Sequence, residues 1–282
     1  MTKGVCKLTL FVFGACAGLT LASTAGTQIT PASHAKIELI ADDASPSGST
    51  VWVGLLFRMD PGWHIYWQNP GDSGTPPKVE WQLPPWYRAG AIRWPVPVRL
   101  SHGSIADYAY EDEVLLMAPI DRASNSRDIM GVTIAADVKY VVCSSDVCIP
   151  GKEHLTLTLP QRGPEVDDPA SDQAQWHTIF QRTRSQIPRP APATWELSVE
   201  FRENAFILSV RTGGRVKTAS FFPLDPNEIE NSAPQGFAAT RDRFWLTLRK
   251  SDQLATRVMK LRGLLVFGPQ TGFEVTVPVV GK

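Results

Sequence analysis

The stretch Val132–Leu159 constrains the fold more than any other part of the chain. Val132, Ile134, Ala136, Val138, Tyr140 and Val142 share one phase of a two-residue period, and Thr133, Asp137 and Lys139 share the other. Leu155, Leu157 and Leu159 then alternate with His154, Thr156 and Thr158. Successive side chains of a strand point to opposite faces, so each run reads as a half-buried strand. Two such runs joined by a short polar segment read as a β-hairpin.

Two cysteines, Cys143 and Cys148, sit where the hairpin turns. Cys143 is in phase with Thr133, Asp137 and Lys139, which aims it at the polar face; Cys148 is in phase with His154, Thr156 and Thr158. Both are therefore expected on the surface side of the hairpin and outside the core. Directly opposed antiparallel residues have Cα atoms about 4.5–5.5 Å apart, and a disulfide spans about 4.4–6.8 Å, so a cross-strand bond is allowed.

The first 25 residues read as a secretory leader: Lys3 and Lys7, an apolar run Leu8–Leu21, and a small-residue cleavage site at Ser23-Thr24-Ala25. The run is about 14 residues, short of the ~20 that span a bilayer. Cys6 and Cys16 fall inside this leader, so the exported chain keeps only Cys143 and Cys148. In an oxidising compartment such a pair is expected to bond.

A bridge closing so small a ring stabilises by only about 2 kcal/mol in the chain-entropy account. A chain of 282 residues hardly needs that. An exposed cross-strand bridge is instead the kind open to attack by a partner thiolate. Lys139 would favour a thiolate and Asp146 would oppose it. The residues alone leave three readings open: a reactive pair, a structural bridge, or a soft copper(I) site completed by a histidine.

The rest of the chain is punctuated by 23 prolines and 21 glycines, which favours many short strands over long helices. Strands are expected at Ile37–Ile40, Val51–Arg58, Val79–Trp81, Ala91–Trp94 and Val114–Ile120. The segment Asp60–Pro97, with Trp63, Tyr66, Trp67, Trp81, Trp86, Tyr87 and Trp94, reads mainly as long ordered loops. Residues 161–190 form a connector in which Asp172 would cap a short helix placing Trp176, Ile179 and Phe180 on one face. Further strands are expected at Trp195–Phe201, Phe206–Arg211, Lys217–Phe222, Phe244–Arg249, Leu264–Phe267 and Glu274–Val279, with turns at Asn204 and Gly213-Gly214. The fold class is thus all-β: two immunoglobulin-like β-sandwich domains, 28–160 and 191–282, with a short connecting helix.

The 28 basic and 28 acidic residues cancel, and no basic block stands out, so nucleic acid is not an expected partner. No phosphate-binding glycine loop, nucleophile elbow or zinc-protease motif occurs, and no cofactor is expected. His64, set among Trp63, Tyr66 and Trp67, could serve in proton transfer or as a hydrogen-bonded structural group; His34, His102, His154 and His177 are scattered. The aromatic run could bind a carbohydrate or peptide, or pack as ordinary loops against the sandwich.

Three segments carry a resemblance: Pro61-Gly-Trp-His-Ile-Tyr-Trp-Gln-Asn-Pro-Gly-Asp-Ser-Gly74, Tyr108-Ala-Tyr-Glu-Asp-Glu-Val114 and Tyr140-Val-Val-Cys-Ser-Ser-Asp-Val-Cys-Ile-Pro150. They resemble the periplasmic N-terminal region of the DsbD-type thiol:disulfide interchange reductases. Phe222-Pro-Leu-Asp-Pro-Asn-Glu-Ile-Glu-Asn-Ser-Ala-Pro234 is similar to the longer, copper-stress relatives. The resemblance implies an immunoglobulin-like domain whose pair, here Cys143 and Cys148, takes electrons from a membrane thiol carrier and hands them to periplasmic thioredoxin-like proteins. It implies that Cys148 forms the mixed disulfide, and it raises Tyr108, Tyr110 and Glu111 as neighbours of the sulfurs. The family's membrane and thioredoxin-like domains have no counterpart in these segments, so a separately encoded carrier is expected.

Overall fold

The computed structural model describes Met1 and residues 33–42, 50–122, 132–159, 172–268 and 271–281. The expected leader, with Cys6 and Cys16, lies outside the described residues apart from Met1, as does the connector before 172.

In chain order the first half holds β1 (Ala35–Asp42), β2 (Thr50–Met59), β3 (His64–Gly71), β4 (Lys78–Gln82), β5 (Tyr87–Ala89), β6 (Val98–His102), β7 (Ile105–Glu111), β8 (Glu113–Arg122), β9 (Val132–Cys143) and β10 (Cys148–Leu159). One sheet has the order β1-β2-β8-β5; the other runs β10-β9-β3-β7-β6, with β4 also on β9. Val53, Leu55 and Phe57 of β2 and Leu116 and Ala118 of β8 meet Ile65 and Trp67 of β3 and Ile134, Ala136 and Val138 of β9 in one core.

β9 and β10 form the expected hairpin, with Cys143 opposite Cys148 and Leu159 opposite Val132. The expected strands at Ile37–Ile40, Val51–Arg58, Val79–Trp81 and Val114–Ile120 lie within β1, β2, β4 and β8. Ala91–Trp94 is not a strand; Arg93 makes a single bridge to Met117. Pro95 and Pro97 follow at once, and proline cannot donate to a ladder.

Helix α1 (Asp172–Gln186) begins where the cap was expected. Its Ile179 and Phe180 pack on Ile40, Leu56, Leu115 and Met117, with Trp176 partly buried beside them. β2 and β8 are therefore covered on both faces. Gly54 permits this approach, since a Cβ there would lie 2.4 Å from Leu115 Cδ1 and 3.2 Å from Phe180 Cζ.

The second half holds β11 (Arg189–Pro190), β12 (Glu196–Arg202), β13 (Ala205–Arg211), β14 (Ser220–Pro223), β15 (Gly236–Ala239), β16 (Arg243–Arg249), β17 (Lys260–Phe267) and β18 (Thr271–Val280). Their order is β14-β17-β18-β12-β13-β16-β15, with β11 on β18. Glu203 and Asn204, at φ 47° and 67°, turn β12 into β13 in two residues, as a mirror-type hairpin turn requires. The molecule is mostly β, with one helix among the described residues. The halves are not separated by solvent: Phe222, Leu264 and Val266 join the first core, and Ser33–Lys282 forms one compact unit.

Glu228 is a buried acid in the second half whose Oε2 has no hydrogen-bond partner. Burial first, then the Asp225 carboxylate, pushes it up to about 7, against the pull of Arg262. An acid whose pKa is raised on folding adds stability below its unfolded value near 4.5 and loses it as pH climbs through 7. Glu228→Gln should therefore be the more stable protein at pH 8, relative to its standing at pH 4.5, by on the order of 2 kcal/mol. Urea unfolding of both proteins across that range checks the difference; parallel curves would remove Glu228 as the cause.

Candidate active site

Cys143 and Cys148 are joined by a disulfide, with Cα atoms 4.1 Å apart, where β9 meets β10. The turn between them is tied by Ser144, whose backbone N–H donates to Val147 O at 2.9 Å. Its Oγ accepts from the backbone N–H of Asp146.

The two cysteines differ in exposure. Cys148 is exposed beside Val147, itself 50% exposed, whereas Cys143 is 0% exposed. This corrects the expectation that both lie at the surface. The strand phase is right: Val132 through Val142 on even positions face the core, and Cys143 points the other way. That outer face is roofed at its Cys143 end. β3 runs alongside there, with His64 the register partner of Cys143. His64 and Tyr66, two residues apart on β3, share the face and are both buried.

The Tyr66 hydroxyl lies 3.9 Å from Cys148 Sγ. The same hydroxyl lies 3.2 Å from Ser73 Oγ, and Ser73 Oγ donates to Asp107 Oδ2 at 2.8 Å. The Ser73 backbone N–H donates to Asp107 Oδ1 at 3.0 Å. Burial raises the Tyr66 phenol above its ordinary value, and the Asp107 charge adds to that. Gly74 lies flat on the Tyr66 ring: its φ is +67°, and a Cβ there would fall 2.0 Å from Tyr66 Cζ.

His64 packs edge-on to Tyr66 at 5.2 Å and stacks on His102 at 6.2 Å. Burial holds the imidazole below the ordinary histidine value, while Asp107 pulls the other way. Its buried Nε2 has no hydrogen-bond partner. His34, His154 and His177 pair with Asp60, Asp137 and Asp42, away from the sulfurs. Among the described residues no group of three or more His, Cys, Asp or Glu is placed to hold a metal.

Tyr108 and Tyr110 face away from the cysteines. Tyr108 donates to Asn231 Oδ1 at 2.9 Å, and Tyr110 to Pro95 O at 2.7 Å. Glu111 is the β7 register partner of His64. The aromatic run packs: Trp67 is fully buried, Trp63 stacks on His34 at 3.8 Å, and Trp81, Tyr87 and Trp94 lean on the first core. Trp86 is 49% exposed. Sequence reasoning missed Tyr66, Ser73 and Asp107 as neighbours of the disulfide.

No helix among the described residues is long and apolar enough to cross a membrane. Residues 36–160 match the family model described as Thiol:disulfide interchange protein DsbD, N-terminal. Among solved structures, the N-terminal periplasmic domain of ScsB from Proteus mirabilis is similar at 19% identity, covering 88% of this chain and 94% of that one, with a TM-score of 0.66. That likeness speaks to the fold. A protein of unknown function from Porphyromonas gingivalis W83 aligns at 11% identity over 87% of this chain and 100% of its own, with a TM-score of 0.24. No curated protein matches the sequence significantly.

Proposed function

We propose, because the chain belongs through residues 36–160 to the DsbD N-terminal family, that it is a periplasmic thiol:disulfide interchange protein working through Cys143 and Cys148. Electrons would come from a separately encoded membrane thiol carrier and leave to periplasmic thioredoxin-like proteins. The two halves would be immunoglobulin-like sandwiches, 28–160 and 191–282, joined by the 161–190 connector.

One observation carries this reading: the bridge joins an exposed cysteine, Cys148, to a fully buried one, Cys143. A structural staple has no use for that asymmetry, whereas exchange does. The carrier's thiolate attacks Cys148 Sγ, the Cys143–Cys148 bond breaks, and Cys143 leaves with the electron pair and takes a proton. The carrier's second thiolate then attacks its own sulfur in the mixed disulfide and releases Cys148. The reduced pair next delivers two electrons. Cys148 thiolate attacks the partner's disulfide, and Cys143 thiolate attacks Cys148 Sγ, re-forming the internal bond and releasing the reduced partner.

Trapping tests the assignment. Cys143→Ser leaves the exposed thiol without its resolving neighbour and should accumulate mixed disulfides with periplasmic thioredoxin-like proteins in cells. Cys148→Ser, left with only a buried thiol, should trap little. Equal trapping by both would erase the division of roles between the two sulfurs, and none by either would leave exchange without support.

A further inference from the structure

We propose that the second half of the chain sets the reactivity of the bridge through Asp72 and Asn231, two positioning residues that hold the loop seated on Tyr66 beside the disulfide. The proposal rests on the exchange reading and adds to it a role for residues far from the hairpin.

The loop leaves β3 at Gly71 and carries Asp72, Ser73 and Gly74. Asp72 is held on two sides. Its Oδ2 accepts from the backbone N–H of Ala106 at 2.7 Å, and its Oδ1 accepts from Asn231 Nδ2 at 2.8 Å. Asn231 lies between β14 and β15 and is itself fixed within the first half. Its Oδ1 accepts from the Tyr108 hydroxyl at 2.9 Å, and its carbonyl accepts from Arg99 Nη2 at 2.5 Å. Asn69, at the end of β3, donates to Pro223 O at 2.8 Å. The loop's stem and tip are thus both tied to the segment 223–231.

The next links lead to sulfur. Ser73 gives its proton to Asp107, so the Tyr66 hydroxyl donates to Ser73 Oγ and turns its lone pairs toward Cys148 Sγ. Gly74 rests on the Tyr66 ring. If the Asp72 side chain is released, the loop keeps its backbone bond to Ala106 O and the two Asp107 bonds to Ser73 but loses its tie to the second half. Ser73 and Gly74 are then held less firmly against Tyr66, and the face holding His64 and Cys143 opens more readily. Asn231 is nowhere near the sulfurs in sequence, yet it is three side chains from one of them.

The test exchanges the two residues. Asn231→Asp sets two carboxylates against each other and breaks the latch. Adding Asp72→Asn restores every bond: Asn at 72 accepts from Ala106 N–H and donates to Asp at 231, which accepts from Tyr108. Two readouts are taken on the full chain: the rate at which glutathione reduces the Cys143–Cys148 bond, and iodoacetamide labelling of the reduced protein. Asn231→Asp should be reduced about tenfold faster, the scale of one or two lost hydrogen bonds. Its Cys143 should become labelled, where the parent labels only at Cys148. The double variant should return to the parent on both counts. A parent-like rate in folded Asn231→Asp, or a double variant no closer to the parent than the single, overturns the proposal. Should Asn231→Asp not fold, Tyr108→Phe removes one bond to Asn231 and keeps the ring; a rise of about threefold supports the latch and no rise overturns it. Glutathione and iodoacetamide need no protein partner, so failure of mixed-disulfide trapping with an intact latch response would sink the exchange reading alone.

Discussion

Trp67→Ala is expected to lower the unfolding free energy by about 3–5 kcal/mol, the range for emptying a buried tryptophan site. Trp67 is fully buried and meets Tyr108 and Phe222 edge to face, at 6.3 Å and 6.4 Å between centroids. Tyr108 and Phe222 are themselves 5.1 Å apart. Phe222 comes from β14, so the three rings form the apolar seam between the halves, beside the Asn69 and Asn231 hydrogen bonds. The indole N–H has no partner, so its removal strands no acceptor and the loss is one of packing. Trp67→Phe should cost less, about 1–3 kcal/mol, because one aromatic ring stays and an unpaired polar group goes, while the smaller side chain leaves part of the site empty. Urea unfolding of both variants decides. A Trp67→Ala midpoint close to the parent's would mean that the seam does not bind the halves together.

The fold was legible wherever one face is covered and the other is wet. β9, β10, β13 and β16 alternate in sequence because they alternate in burial. β3 was not legible. It reads His64-Ile-Tyr-Trp-Gln-Asn-Pro-Gly, and its first four side chains are all buried, Ile65 and Trp67 in the core and His64 and Tyr66 under the roof. Covering both faces erases the period, and Pro70 makes the run look like a loop. The same limit explains Cys143: a two-residue period tells which face a side chain takes and is silent on whether another segment lies over that face. The pair itself was legible from its count and its place in the hairpin. Its surroundings were not, since Ser73 and Asp107 are 34 residues apart and Asp72 and Asn231 are 159 apart, single polar groups without a pattern to join them.

Turnover should separate the two cysteines more sharply than trapping does. In an assay passing electrons from a reduced carrier to an oxidised thioredoxin-like protein, both Cys148→Ser and Cys143→Ser are expected to fall to background, for different reasons. Without Cys148 no exposed cysteine remains among the described residues, since Cys143 is buried. Without Cys143 the exposed thiolate can still attack the partner once, but no second cysteine among the described residues breaks the resulting mixed disulfide. Reduced Cys143→Ser should therefore consume up to one equivalent of oxidised partner and stop. Glutathione should then restart it, because its thiolate can reach the partner-linked Cys148 from solvent and take over resolution, giving a glutathione-linked Cys148 that a second glutathione returns to the thiol with release of glutathione disulfide. No concentration of glutathione should rescue Cys148→Ser. Rescue of both variants alike would mean that the buried sulfur is as reachable as the exposed one. The division of labour between the two residues would then have no basis in their burial.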